Sequence, residues 1–100
     1  MNDQARTVRG LLADPPTPDQ DVTVRGHLVD EGGHTVLCDR LGETFPPQPG
    51  GSTIPVSGIE LSTLPGTATT GDTTWTTTPR VIIGRLSGRT LEVRAVTGRP

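Results

Sequence analysis

The chain of 100 residues contains no lysine, no tyrosine, two aromatic residues and one cysteine. The aromatic residues are Phe45 and Trp75, and the cysteine is Cys38. A single cysteine excludes an intrachain disulfide. The absence of lysine and of any Gly-x-Gly sequence excludes a Walker-type phosphate loop and a dinucleotide-binding fingerprint. Two aromatic residues do not make the platform on which single-stranded nucleic acid stacks its bases.

Long apolar segments are also absent. Residues 1–10 contain no apolar core of seven or more residues, and no stretch approaches the length of a membrane span. A lone cysteine fits a reducing compartment. We therefore expect a cytoplasmic protein that does not associate with a membrane; the alternative is a mature exported protein whose signal has been removed.

The length of the chain indicates a single small domain, residues 1–100. A chain of this length has room for one core and buries roughly two thirds of the surface that its unfolded form exposes.

The formal net charge is −2, but residues 1–60 carry four arginines and nine acids, whereas residues 61–100 carry five arginines and two acids. This asymmetry indicates either an interaction face or, more commonly, a solvated surface whose charges complement one another.

Two similar segments of the chain predict different secondary structures. Residues 7–14 and 23–30 agree at six of eight positions. In the first, Val8, Leu11 and Leu12 have helical spacing and two prolines follow, which predicts a short amphipathic helix over residues 5–14. In the second the apolar residues alternate, which predicts a strand. The similarity is therefore not a structural repeat, since a repeat unit would be longer and would recur.

Two predicted strands each carry a glycine at their centre. The first covers residues 22–29 around Gly26, and the second covers residues 81–86 around Gly84. A glycine inside a strand usually marks a bulge or a corner where the sheet bends sharply. The pair therefore predicts a small, strongly coiled β-barrel.

The rest of the chain predicts further strands joined by turns and loops. A turn over residues 30–33 joins the first strand to a second at 34–39, and a proline-rich loop at 45–51 leads to a third at 52–61, with Pro55 at an edge or bulge. The threonine-rich residues 67–78 predict a long loop anchored by Trp75. A final hairpin pairs residues 81–86 with 91–96 through a turn at 87–90. The predicted core consists of Val22, Val24, Leu28, Val36, Ile54, Val56, Val81, Ile83, Leu91 and Val93.

This arrangement of strands over residues 22–96 resembles the OB-fold. The resemblance implies an all-β protein, a five-stranded Greek-key barrel preceded here by a short helix. Gly26 matches the glycine bend that the family places in its first strand, where it lets one strand serve both halves of the barrel. The helix in the middle of that fold has a poor counterpart, because residues 59–64 suffice for one or two turns.

A second resemblance rests on residues 37–41 and 45–51. Their sequences, Leu-Cys-Asp-Arg-Leu and Phe-Pro-Pro-Gln-Pro-Gly-Gly, are similar to those of a group of small uncharacterised actinobacterial proteins. That resemblance implies a second cysteine where Pro49 stands, and with it a disulfide outside the cytoplasm. This chain has proline at that position, so neither the disulfide nor export carries over.

OB-folds often bind single-stranded nucleic acid, which requires a basic groove with aromatic side chains. The candidate contacts are Arg25 on the first strand, the final hairpin's Arg85, Arg89 and Arg94, and Trp75 as the stacking residue. The alternative, which we favour, is a solvated surface on which these arginines pair with Asp30, Glu31 and Glu92.

Metal binding and catalysis find little support in the residues. The soft donors are His27, His34 and Cys38, and the last two lie about 13 Å apart on an extended strand at roughly 3.3 Å per residue. We therefore expect Cys38 to be a half-buried core residue. Ser57 lacks the leading glycine of a nucleophile elbow. Five acids could form a weak calcium site, but we expect them to serve turn formation and solubility instead: Asp19, Asp21, Asp30, Glu31 and Asp39.

The proline-rich loop is stiffer than a connection requires. A loop that is already ordered loses little entropy on docking, so this one could present Phe45 to a partner; alternatively, Phe45 covers the open end of the barrel. We predict a noncatalytic binding or adaptor module for a protein partner, without a cofactor or metal. The alternatives are a weak single-stranded nucleic-acid-binding protein and a small enzyme or cofactor carrier.

Overall fold

The protein is mostly β-structure. The computed structural model describes residues 5–17 and 19–97, and none of the helices in these ranges is long and apolar enough to cross a membrane. Over the same ranges there are one α-helix, one short 3-10 helix and seven strands. In chain order they are α1 (Val8–Ala13), β1 (Asp21–Glu31), β2 (His34–Leu41), β3 (Pro49–Ser57), the 3-10 helix (Leu61–Thr63), β4 (Thr67–Thr70), β5 (Thr73–Thr76), β6 (Arg80–Ser87) and β7 (Thr90–Thr97).

Five of the strands pair in a closed circuit. β1 pairs antiparallel with both β2 and β6, β2 with β3, and β6 with β7. A short parallel pairing of β3 with β7 completes the circuit. β4 and β5 form a hairpin outside it, in which β5 joins β1 at residues 29–31.

Two of these strands change partner along their length. β1 pairs with β6 from Asp21 to Gly26 and with β2 from residue 27 onward. The change falls at the glycine where the sequence predicts a bend. β3 changes from β2 to β7 between Pro55 and Val56. Pro55 therefore pairs with β2 alone and lies at an edge position, as predicted, in keeping with its lack of an N–H group.

The two mid-strand glycines lie where neighbouring strands approach closely. A Cβ atom on Gly26 would overlap the carbonyl oxygen of Cys38, and one on Gly84 would lie 2.5 Å from the carbonyl oxygen of Glu92. Gly84 also adjoins a register shift between β6 and β7. Both glycines thus allow strands to approach more closely than any side chain would permit.

The main core fills the space between the circuit and α1. Six of the predicted core residues are buried in it, namely Val22, Val24, Leu28, Ile54, Val56 and Leu91, and Val93 packs against it. Val36 packs instead against a second, smaller cluster. The buried residues of the main core that the prediction omits are Val8, Leu11, Leu37, Leu61 and Ile82, and in the second cluster it omits Val29.

The prediction for β6 is wrong by one residue. Arg80, Ile82 and Gly84 are buried, whereas Val81 and Ile83 are only partly buried. The register with β1 explains the difference, because Ile82 lies opposite the buried Val24 and must share its face. The interior therefore receives an arginine, Arg80, which is 2 % exposed.

α1 is shorter than predicted and is fixed at its first turn. The Thr7 hydroxyl accepts a hydrogen bond from the Gly10 N–H at 2.9 Å. The two oxygens of the Asp39 carboxylate accept from the N–H groups of Val8, at 2.7 Å, and Arg9, at 3.0 Å. Four N–H groups at a helix start lack partners within the helix, so these side chains satisfy three of them.

The threonine-rich segment is a hairpin and not the predicted long loop. β4 and β5 pair through four register positions and are joined by a turn in which Gly71 has a φ of +59°. Threonine is β-branched and therefore favours strands. Trp75 does anchor the segment, since its side chain lies in the second cluster with Val29 and Cys38.

Candidate functional site

Phe45 is the most exposed large apolar side chain among the described residues, with 78 % of its surface accessible. It lies in the loop of residues 42–48 that joins β2 to β3. The Gly42 N–H donates to the Gln48 carbonyl at 2.6 Å and closes the base of this loop. Inside the loop, the Thr44 hydroxyl donates to the carbonyl of Pro46, which follows a cis peptide bond. The loop is therefore a compact structure in which Phe45 faces solvent.

The Phe45 ring rests on Trp75. The ring centroids lie 5.8 Å apart and the ring planes are 86° to each other, an edge-to-face geometry that aromatic pairs favour. Trp75 is 7 % exposed and packs with Val29 and Cys38. Trp75 thus supports Phe45 from the interior, and its burial removes it as the stacking residue that the nucleic-acid alternative requires.

Cys38 lies beneath this aromatic pair. It is fully buried, more than the half-buried core residue that we predicted, and its Sγ donates to the His27 carbonyl at 3.4 Å. Burial raises the pKa of the Cys38 thiol above its ordinary value of 9.0; hydrogen bonding with backbone groups of Gly50 and Arg40 partly opposes this, and the charge of Asp39 adds to it. A buried thiol with a raised pKa packs as an apolar residue and is a poor nucleophile.

The histidines do not assemble a metal site with Cys38. His27 Nδ1 lies 3.0 Å from the carbonyl oxygen of Thr76, and His34 is exposed at the start of β2. Over residues 5–17 and 19–97, no group of three or more His, Cys, Asp or Glu side chains is placed to hold a metal ion.

The candidate arginines have different surroundings from those predicted. Arg85 and Arg94 share Asp21, at 3.3 Å and 3.9 Å, and not the predicted acids Asp30, Glu31 and Glu92. The Asp30 carboxylate instead accepts hydrogen bonds from the Gly33 N–H and the Thr35 hydroxyl within the β1–β2 hairpin. The register that places Asp21 opposite Arg85 explains the pairing.

The remaining two arginines lie apart from each other. Arg25 is exposed in β1, and Arg89 is exposed in the turn between β6 and β7. The structure therefore gathers Arg85 and Arg94 around one acid and does not combine them with the aromatic pair into one basic, aromatic surface.

Sequence reasoning missed an apolar groove between α1, β3 and the β6–β7 turn. The groove has a volume of about 550 Å³ and is lined mainly by leucine, isoleucine and proline side chains. Its walls come from parts of the chain that are distant in sequence, so no local pattern could reveal it. Leu12, on the apolar side of the predicted amphipathic helix, lies on this groove and is 48 % exposed.

The site thus offers an exposed, supported aromatic side chain and an apolar groove. Comparison of the chain with models of protein families, with curated proteins and with solved structures finds no match.

Proposed function

We propose that this protein is a noncatalytic binding module that uses Phe45 to hold a protein partner. The observation that carries the proposal is a phenyl ring, 78 % exposed, on a loop closed by its own hydrogen bonds and supported by a buried tryptophan. Aromatic residues dominate the energetics of protein interfaces, and an anchor that is already ordered loses little entropy when it docks.

The proposal includes an OB-like architecture for the module. The closed circuit of β1, β2, β3, β7 and β6 supports a five-stranded Greek-key barrel, as does the change of partner at Gly26. The β4–β5 hairpin and the single 3-10 turn stand between the third and fourth strands of this circuit, where the OB-fold has its helix. The proposal also includes the resemblance to the small actinobacterial proteins and a cytoplasmic location for this protein.

The nucleic-acid alternative has weaker support. Asp21 neutralises part of the charge of Arg85 and Arg94, and Trp75 presents little surface. Both features reduce the counterion release and base stacking on which such binding depends. A protein partner requires neither.

The test uses photocrosslinking from the exposed ring. A benzophenone amino acid replaces Phe45 in one variant and Glu92, an exposed residue of β7, in a matched control. We expect one discrete protein adduct from position 45 and none from position 92. The captured protein, once purified, should bind the native chain, and Phe45→Ala should weaken that binding about 30-fold while Glu92→Ala leaves it unchanged.

A titration followed by amide NMR completes the test. Short single-stranded DNA and RNA are added at low salt and again at about 0.2 M salt. Salt-sensitive shifts clustered on Arg25, Trp75 and the β6–β7 hairpin would overturn the protein-partner proposal in favour of nucleic acid. An equal loss of partner binding in the Phe45→Ala and Glu92→Ala variants would contradict the role of Phe45.

A further inference from the structure

The groove between α1, β3 and the β6–β7 turn has an apolar floor and exposed apolar walls. Leu11 and Ile54 form its buried part, and Leu12, Pro15 and Pro55 contribute exposed surface. At about 550 Å³ it falls within the size range of small-molecule sites in proteins. Exposed apolar surface that is concave is commonly a site for a ligand.

The lining of the groove carries one positive charge. Arg89 is exposed, and it is the only charged residue among the described residues that line the groove. Among the residues that the structure describes, no carboxylate lies within salt-bridge distance of the Arg89 guanidinium, whereas Arg85 and Arg94 both lie near Asp21. The lining therefore complements a ligand with an apolar body and one anionic end.

The walls favour an aliphatic chain over a peptide segment. A buried peptide must find partners for its N–H and C=O groups. Pro15 and Pro55 have no N–H to offer, and the leucine and isoleucine side chains of the groove neither donate nor accept hydrogen bonds. Of the side chains that line the groove, only those of Thr53 and Arg89 can do so. A hydrocarbon chain has no such requirement.

We propose that this groove binds an acyl chain whose carboxylate pairs with Arg89, an activity separate from the docking of a partner at Phe45. The carboxylate accepts hydrogen bonds from the guanidinium at the rim, and the hydrocarbon covers Leu12 and the two prolines. The chemical class of the ligand is that of a fatty acid.

The experiment is an amide NMR titration with octanoate, decanoate and dodecanoate, each kept below its critical micelle concentration. We expect saturable shifts at Leu12, Ile54, Gly88 and Arg89. Each added methylene should strengthen binding about two- to fourfold until the chain fills the groove, after which the gain stops. Dodecyltrimethylammonium has a comparable chain and the opposite charge, and it should bind more weakly than dodecanoate.

Two arginine variants separate the proposed role from a general effect of charge. Arg89→Gln should weaken dodecanoate binding about tenfold, whereas Arg94→Gln, on the same hairpin, should leave it unchanged. Shifts that do not saturate, equal binding of the cationic amphiphile, or equal effects of the two variants would overturn the proposal. Because Phe45→Ala leaves the groove intact, that variant should bind dodecanoate as the native chain does, and failure of either proposal is then distinguishable from failure of the other.

Discussion

The carbonyl oxygen of Cys38 lies so close to Gly26 that a Cβ atom at this position would overlap it. Gly26 is the last residue of β1 that pairs with β6, and the next residue lies opposite Cys38 in β2. The close approach therefore occurs at the point where β1 passes from one neighbour to the other. Glycine is required there for space and not for an unusual φ angle, since Gly26 is absent from the glycines with positive φ.

Substitution of Gly26 should strain this corner. We expect Gly26→Ala to lower the free energy of unfolding by about 2–3 kcal/mol and Gly26→Val by more, because the backbone of β2 must move to admit a side chain. Urea denaturation of the purified variants measures the change. Thr23→Val, which exchanges one β-branched residue for another on the outer face of β1, is the control. If Gly26→Val were as stable as the control, β1 would not be constrained by β2 at this position.

Arg80 is a buried cation with incomplete hydrogen bonding. Its guanidinium donates to the Pro65 carbonyl, but its Nε has no partner within the described residues. A buried charge with few partners costs stability, so an apolar side chain of similar length should replace it with little loss. We expect Arg80→Met to change the free energy of unfolding by no more than about 1 kcal/mol and Arg80→Ala to lower it by about 2–4 kcal/mol through cavity formation.

The two Arg80 variants are compared by thermal and urea unfolding at neutral pH. A loss of stability in Arg80→Met equal to that in Arg80→Ala would show that the charge itself, through the hydrogen bond to Pro65, is required in the interior. We expect instead that Arg80→Met stays within about 1 kcal/mol of the native chain while Arg80→Ala loses more.

Cys38 should make stability depend on alkaline pH. Because its pKa is raised by folding, its contribution is fully present below the ordinary value of 9.0 and is lost as pH rises through the higher value of the folded state. The chain has no lysine or tyrosine, so few other groups titrate in this range. Urea denaturation from neutral pH to well above pH 9.0 should show this loss in the native chain and not in Cys38→Ala.

Thiol labelling checks the same burial by a second route. A disulfide reagent should modify Cys38 slowly in the folded protein and rapidly in urea, because the reactive thiolate forms only when the side chain is exposed. Rapid labelling under native conditions would show that Cys38 is not buried in the folded protein. An identical alkaline loss of stability in Cys38→Ala would show that Cys38 does not cause that loss.

Asp39 connects β2 to the start of α1. Its carboxylate accepts hydrogen bonds from two N–H groups of the first helical turn, so Asp39→Ala should lower the free energy of unfolding by about 1–2 kcal/mol. Asp39→Asn should cost less, since its amide oxygen still accepts. Hydrogen exchange at the Val8 and Arg9 amides should accelerate in the alanine variant, and the exposed Glu43→Ala serves as a control. Unchanged hydrogen exchange at both amides would contradict the role of these two hydrogen bonds in stabilising the first turn of α1.

Local sequence patterns predicted much of the β-structure. The alternation around Gly26 places β1 and its buried face correctly, and the two glycine-containing turns place the β1–β2 and β6–β7 hairpins. These features depend on residues that are close in sequence, where side-chain alternation and turn chemistry act directly. The segment around Trp75 was misread because its composition is polar, although threonine favours strands and only one face of a hairpin needs to be apolar.

Local sequence alone was enough to give the all-β class, the glycine at which β1 changes partner and the place of the single cysteine in the core, although not its complete burial. The tertiary structure decided which face of β6 is buried, since Val81 and Ile83 are as apolar as Ile82 and only the register with β1 distinguishes them. It also decided that Phe45 rests on Trp75 and that α1, β3 and the β6–β7 turn enclose a groove. These relationships join residues far apart in the chain, and strand pairing and packing, not local propensity, bring such residues together.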